Sequence, residues 1–458
     1  MSPQARYHSL PPAGAVRQRP GRAGSAAGSL VAVLAIVTVL VPTIALAQLS
    51  DTELRIVAAV KARAPQALVL LEETARINSG TLNPEGVRAV GQVFRRELDT
   101  LGFATRWAEM PPEMQRGGHL VGERSGGQGQ RLLLLGHLDT VFDKSSAVAA
   151  WDRRGDRVRG QGVGDMKGGN VILLEALRAL QAVGALENTR LAVLMTGDEE
   201  RVGNPAARAR ADLVALAQKS DAALSFEGAT QIGRDAFASI ARRSSGGWTL
   251  KVNGRPGHSA GIFSSSAGYG AIYEAARILN AFREQLPEAA LTFNPGLLLG
   301  GTQVTPDPAT ASGTAYGRGN VIAAQAEVRG DLRYLSPEQG ERTRERMKAI
   351  VAQHLPGTSA SITFSETYPP MPPTEAGRRL LAAYSKASED AGLGDVREFD
   401  PSGRGAGDIQ FAAPYVPGLD GLGAVGRGSH TDDEDLEIAS LERGAIRAAL
   451  LIYRLTRP

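Results

Sequence analysis

Residues 132–139 read LLLLGHLD: four consecutive leucines, then at once Gly136-His137-Leu138-Asp139. An apolar run without polar alternation is the pattern of a strand covered on both faces. Residues 170–183 (NVILLEALRALQAV) follow as a helix, and Leu191–Met195 (LAVLM) and 222–226 (AALSF) as two more buried strands. Strand, helix, strand at this spacing predicts an α/β layered architecture.

Upstream, Ser50-Asp51-Thr52-Glu53 reads as a capping box ahead of a first helix, LRIVAAVKARA. A second helix is expected at about 66–77 and a third at about 85–101, stopped by Gly102. Downstream, the pattern changes near 243. A strand at 247–253 precedes a helix at about 267–286, with Ile272, Ile278, Leu279 and Phe282 on one face. Strands at 296–304 and 326–335, a helix at 337–355 and a strand at 359–365 complete a βαββαβ, ferredoxin-like unit. The prolines of Pro369-Pro370-Met371-Pro372-Pro373 mark re-entry into the first domain. The chain thus divides into an α/β catalytic domain, 48–242 and 367–458, interrupted by an inserted lid, 243–366.

The 458 residues suffice for two domains. No cysteine is present, which excludes disulfides, thiolate metal sites and a cysteine nucleophile. Residues 1–47 carry Arg6, Arg17, Arg19 and Arg22 but no acid, then the apolar run 29–41 and Ala45-Leu46-Ala47. This is the pattern of a signal peptide, so the chain is expected to be secreted or periplasmic. As a membrane anchor the run is short of the ~20 residues a span needs. Of the 51 Lys and Arg, four fall in this leader and none of the 48 Asp and Glu does, so the rest of the chain carries 47 bases against 48 acids, a net charge of −1. The basic pI belongs to the leader, and nothing points to nucleic acid as a partner.

The acids and histidines gather where strands end. Period two places His137 and Asp139 on one face, and a carboxylate there can accept the second N–H of a metal-bound imidazole. Asp165 sits in the glycine-rich stretch 160–169 just before a helix. The Gly/Lys order there fits neither a dinucleotide fingerprint nor a Walker loop. Asp198-Glu199-Glu200 ends the second strand, and adjacent carboxylates are costly without a cation or proton. Glu227 ends the third strand, and His430 lies in Gly428-Ser429-His430-Thr431. Singly, each residue reads as a cap, a turn or a structural polar group. Together, His137, Asp165, Glu200, Glu227 and His430 form a nitrogen and oxygen set at the carboxyl ends of strands, where open α/β sheets bind ligands. Such a set suits two Zn²⁺ ions, or Co²⁺ or Mn²⁺, and a metal pair can clamp a water and a carbonyl.

The blocks GHLDTV (136–141), GDMKGGN (164–170), TGDEE (196–200), SFEG (225–228) and GSHTD (428–432), with INSGTLNPEGV (77–87), resemble the zinc exopeptidases and deacylases of clan MH. That group contains glutamate carboxypeptidase, acetylornithine deacetylase, succinyl-diaminopimelate desuccinylase and aminoacylase. The bacterial glutamate carboxypeptidase branch matches in the order of all blocks. The resemblance implies a phosphorylase/hydrolase-like mixed sheet with a ferredoxin-like lid. It implies that His137 and Glu227 hold one zinc, that Glu200 and His430 hold the other, and that Asp165 bridges both. It further implies that Asp139 orients His137 and that Glu199 is the general base. A homodimer through the lid is implied too, with a lid histidine, here His258 in Gly257-His258-Ser259-Ala260, steadying the tetrahedral intermediate. Asn320 in GNVIAA and Arg333 in DLRY match lid positions that contact substrate.

One departure bears on specificity. Where glutamate carboxypeptidases carry an Arg-Pro step for the substrate carboxylate, this chain reads Tyr368-Pro369. Arg404, in Gly403-Arg404-Gly405-Ala406-Gly407-Asp408, is the candidate replacement cation. The expected function is hydrolysis of amide bonds by an exported di-zinc carboxypeptidase, on short peptides or N-acyl amino acids. An N-acyl amino acid deacylase would use the same residues. A metal- or solute-binding protein without catalysis would not need Glu199, and a serine hydrolase would need the G-x-S-x-G elbow this chain lacks.

Overall fold

The structure, a computed structural model, describes residues 49–457 apart from 149 and 309. The expected signal peptide lies outside the described residues. Among the described residues no helix is long and apolar enough to cross a membrane.

The leucine run occupies the strand Gln128–His137 within a six-stranded sheet. Thr189–Thr196 and Ala222–Ser225 flank it, both parallel to it. Gly418–Asp420 runs parallel beyond the latter, and the antiparallel strands His119–Arg124 and Ala104–Ala108 complete the opposite edge. The sheet is therefore mixed. Leu132 and Leu134 face one core with Leu191 and Val193, while Leu133 and Leu135 face the other with Ala192 and Leu194. All four leucines are fully buried or nearly so, and each such burial contributes roughly 1.5–3 kcal/mol relative to exposure. Covering both faces is what makes the run continuous. The first core holds the helices Asp51–Ala75, Gly168–Ala182 and Ala439–Leu455, and the second holds Ala211–Ala217 and Ile409–Ala412.

The two helices expected over 51–77 are one, Asp51–Ala75, with Pro65 inside. The capping box forms: Ser50 Oγ accepts the Glu53 N–H, and Glu53 Oε2 accepts the Ser50 N–H at 2.8 Å. Pro65 is exposed, so the carbonyl it leaves unpaired faces solvent. Ile56, Val60, Ala67 and Leu71 continue one buried stripe past it, and that packing outweighs the break.

A second sheet is formed by Ser245–Gly254, Pro295–Gly301, Gln325–Asp331 and Thr358–Tyr368, all antiparallel. With the helices Ala271–Gln285 and Pro337–Val351 it gives the βαββαβ order and a separate core around Trp248, Leu250, Ile278, Phe282, Val328 and Met347. The strand expected over 296–304 ends at Gly301. The chain then turns into a hairpin, Gln303–Asp307 with Ser312–Tyr316, that the sequence reading missed.

The register sets up the site. His137 pairs with Thr196, and Leu135 with Ser225. Three strand ends therefore lie side by side, and the residues just beyond them become neighbours.

Candidate metal centre and active site

Asp165 stands at the middle of the cluster. Its Oδ1 is 3.3 Å from His137 Nε2, and its Oδ2 is 3.2 Å from His430 Nε2. Glu227 joins the first side, with Oε1 3.5 Å from His137 Nε2. Glu200 joins the second, with Oε2 3.1 Å from His430 Nε2. One carboxylate thus faces two groups, each of one imidazole and one further carboxylate. Side-chain ligand atoms of His137, Asp165 and Glu200 lie within 4.8 Å of one another, as do those of His137, Glu199 and Glu227.

Local backbone explains the aim. Gly162, at φ +73°, makes the left-handed turn that leads into Asp165. Gly169 packs so closely on Phe226 O that a Cβ there would stand 1.8 Å from it, which seats the helix Gly168–Ala182 against the Glu227 strand end. His430 itself has φ +67°, an uncommon left-handed conformation for a residue with a side chain. Such conformations gather at functional sites, and here it belongs to the turn that brings the imidazole to Asp165 and Glu200.

Asp139 acts more broadly than expected. His137 Nδ1 lies 3.0 Å from the main-chain oxygen of Asp139 and 3.5 Å from its carboxylate. The carboxylate accepts the Glu199 N–H at 2.9 Å, the Glu200 N–H at 3.1 Å and the Thr81 hydroxyl at 2.6 Å. One buried carboxylate thereby ties the histidine strand to the turn that carries Glu199 and Glu200.

Three further groups position the site, a role the sequence reading gave to none of them, although it singled out Tyr368 on other grounds. Glu434 accepts backbone N–H groups from Gly162, Gly164 and Asp165 at 3.2, 2.8 and 2.9 Å, so a buried carboxylate cradles the loop that presents Asp165. Arg210, fully buried, pairs with Asp198 at 2.5 Å and Asp408 at 2.6 Å, joining the Glu199 turn to the 403–408 turn. Tyr368 donates its hydroxyl to Glu199 O at 2.7 Å. Thr81 and Glu434 each sat within or just beyond a quoted motif. Arg210 had no local signal.

Electrostatics shows what the cluster lacks. Burial, with the carboxylates of Glu227, Asp408 and Glu200, holds Glu199 well above the usual carboxylate range despite His137. Burial pushes Glu227 up to about 7. Hydrogen bonds to Asp165 and Glu200 push His430 up to about 11. Burial opposes charge on His137, yet Asp139, Asp165 and Glu227 hold it well above its ordinary value. Burial opposes charge on Asp165 as well, yet hydrogen bonds from His137 and His430 hold its carboxyl well below the usual range. One deeply ionised carboxylate between two imidazoles held protonated, with Glu199, Glu200 and Glu227 all raised, marks a site with surplus negative charge. Glu200 Oε1 is buried without a hydrogen-bond partner, as a ligand oxygen would be. Two imidazoles, three carboxylates and no sulfur fit a pair of divalent metal ions.

A cavity of about 260 Å³ opens on the cluster, lined by Asp165, Glu199, Glu200, Glu227, His430 and the cations Arg242 and Arg404. His258, Asn320 and Arg333 are not among its lining residues. The structure pairs His258 with Val321 and bonds Ser259 N to Asn320 O, so the first two are neighbours on an exposed edge of the second sheet's region. Arg333 is ion-paired with Asp331.

The model of peptidase family M20/M25/M40 matches residues 133–454. The chain is 28% identical over 432 residues to carboxypeptidase G2 from Pseudomonas sp. (strain RS-16), covering 93% of this chain and 97% of that one. It is 27% identical over 383 residues to succinyl-diaminopimelate desuccinylase from Acidiphilium cryptum, covering 81% and 94%. Among solved structures it is similar to the Bacillus subtilis YXEP protein, described as a dinuclear metal binding peptidase from M20 family, with a TM-score of 0.61, 15% identity and coverage of 86% and 99%.

Proposed function

The chain belongs to peptidase family M20/M25/M40 and is a metallopeptidase-type hydrolase, and from that premise we propose that it is a di-zinc carboxypeptidase acting on short peptides or N-acyl amino acids. The observation that carries the reading is Asp165, one oxygen toward His137 and the other toward His430. His137, Asp165 and Glu227 would hold one ion, and Asp165, Glu200 and His430 the other. When bound, such ions polarise a carbonyl and acidify a water.

Glu199 does the proton work. It lines the cavity beside the cluster, and burial among carboxylates raises its proton affinity. A base with a raised pKa can take a proton from the attacking water and return it to the leaving amine nitrogen. Asp139 fixes its N–H and Tyr368 its carbonyl, so its backbone is held from both sides. Likeness to carboxypeptidase G2 supports cleavage at a carboxyl terminus. Likeness to desuccinylases supports N-acyl amino acid deacylation as the second reading. An exported homodimer is part of the same proposal, with His258 of one lid reaching its partner's cavity, and with Asn320 and Arg333 contacting substrate.

The test is turnover of a panel of dipeptides and N-acyl amino acids with and without chelator, for the wild type and Glu199→Ala. Chelation should abolish activity. Glu199→Ala should retain its metal content and lose at least about 10³-fold in kcat. Wild-type turnover in that variant would sink the assignment.

A further inference from the structure

Two guanidinium groups line the cavity, and they differ in what they already hold. Arg242 is saturated: it pairs with the buried Asp420 and donates to Gly405 O and Ala406 O at 2.8 and 2.7 Å. Its work is to hold the 403–408 turn. Arg404 sits on that turn and donates one bond, from Nη2 to Gly228 O at 2.8 Å. Among the described residues it has no carboxylate partner at ion-pair distance, and its buried Nε has no hydrogen-bond partner. A half-buried cation without an anion is costly, and an arginine does not escape by losing its proton. Burial and the neighbouring Arg242 disfavour its charge, and Asp420, Glu227 and Asp165 offset this only in part, none of them at ion-pair distance.

The strand end that might have supplied another reader of anions is already committed. Tyr368 is buried, and its hydroxyl is bonded to Glu199 O. Gly228, which anchors Arg404, directly follows Glu227. The free guanidinium therefore lies on the His137–Glu227 side of the centre.

We infer that Arg404 is the receptor for a substrate carboxylate on the Glu227 side of the cavity, and that this carboxylate is the α-carboxylate of the amino acid released as the amine. The inference rests on the proposed hydrolytic function and names its substrate class. Arg404 lines the same cleft as Glu199, Glu200 and Glu227, so an anion on it lies beside the cluster at which the bond would break. An α-carboxylate is separated from the scissile nitrogen by one carbon, whereas a carboxylate on the acyl half, as in a succinyl group, lies farther from the scissile carbonyl. Guanidinium and carboxylate match as a two-point hydrogen-bonded pair. The substrates are then amides of free amino acids, and amides of amino acid amides are poor.

Three ligands separate the possibilities: an N-acetyl amino acid, its carboxamide, and an N-succinyl alkylamide. Binding is measured by calorimetry to the metal-loaded Glu199→Ala protein, with and without Arg404→Met, and kcat/KM is measured in the parent background. Without Arg404→Met, the N-acetyl amino acid should bind at least about 30-fold tighter than its carboxamide. Arg404→Met should bring that ratio close to one, and Arg404→Lys should restore part of it. The carboxamide should change less than about threefold. An unchanged ratio in both Arg404 variants overturns the inference, as does a loss confined to the succinyl ligand. If the parent hydrolyses none of the three while the binding ratio still collapses, the hydrolytic reading falls and the carboxylate receptor stands.

Discussion

The Tyr368 hydroxyl donates a hydrogen bond to the main-chain oxygen of Glu199 at 2.7 Å. Tyr368 is the last residue of the strand Thr358–Tyr368, which belongs to the second sheet, and Glu199 follows a strand of the first. The general-base candidate is therefore held in part by the end of a strand from the second sheet. The Tyr368 ring also lies 5.2 Å from Phe411, so its position is fixed by packing as well as by the bond.

Tyr368→Phe should keep the ring contact and release the Glu199 carbonyl. A lost hydrogen bond of this kind costs about 1 kcal/mol of stability. The larger effect should be on kcat, lowered about tenfold with KM nearly unchanged, because the base and not the binding wall is released. Steady-state kinetics checks this. An equal rise in KM with kcat intact would mean that Tyr368 touches substrate.

Glu434→Gln should weaken metal binding without touching a ligand. The Glu434 carboxylate accepts three N–H groups from the loop that carries Asp165. Supporting groups of this type are worth about 10–100-fold in metal affinity. Competition with a coloured chelator at fixed pH measures the loss.

Stability at low pH should depend on Asp435. Burial opposes its charge, but hydrogen bonds from Arg157 and Arg427 hold its carboxyl at about 2, below the ordinary 3.8. A carboxyl depressed by folding stabilises fully above the unfolded value and loses that stabilisation as pH falls through the folded value. The shift corresponds to about 2 kcal/mol. Asp435→Asn should therefore be less stable than the wild type by about that amount at pH 7. The gap should close between pH 4 and 2. Urea titrations across that range give the difference directly.

The residues that cluster at the site were legible because each lies just past a buried strand or beside a glycine turn, where a short motif reports it. His137, Asp165, Glu199, Glu200 and Glu227 all carry that local signal. The groups that hold them in place were not legible, because their partners are remote in sequence. Arg210 meets Asp408 across 198 residues, Glu434 meets Asp165 across 269, and Tyr368 meets Glu199 across 169. No period or spacing encodes such pairs. The helix over 51–75 was misread as two because Pro65 is a strong local signal, and only the tertiary stripe from Ile56 to Leu71 overrides it. Asp139 was assigned to His137 alone because the sequence cannot show the Glu199 and Glu200 amides turned toward it.

The central claim is that Asp165 is shared between two metal ions, and metal counting on purified protein tests it most directly. After exposure to Zn²⁺ and removal of the excess, the wild type should retain two ions per chain. Asp165→Ala, which takes a ligand from both groups at once, should retain fewer than one. Two ions retained in Asp165→Ala, or a single ion in the wild type, would contradict the account.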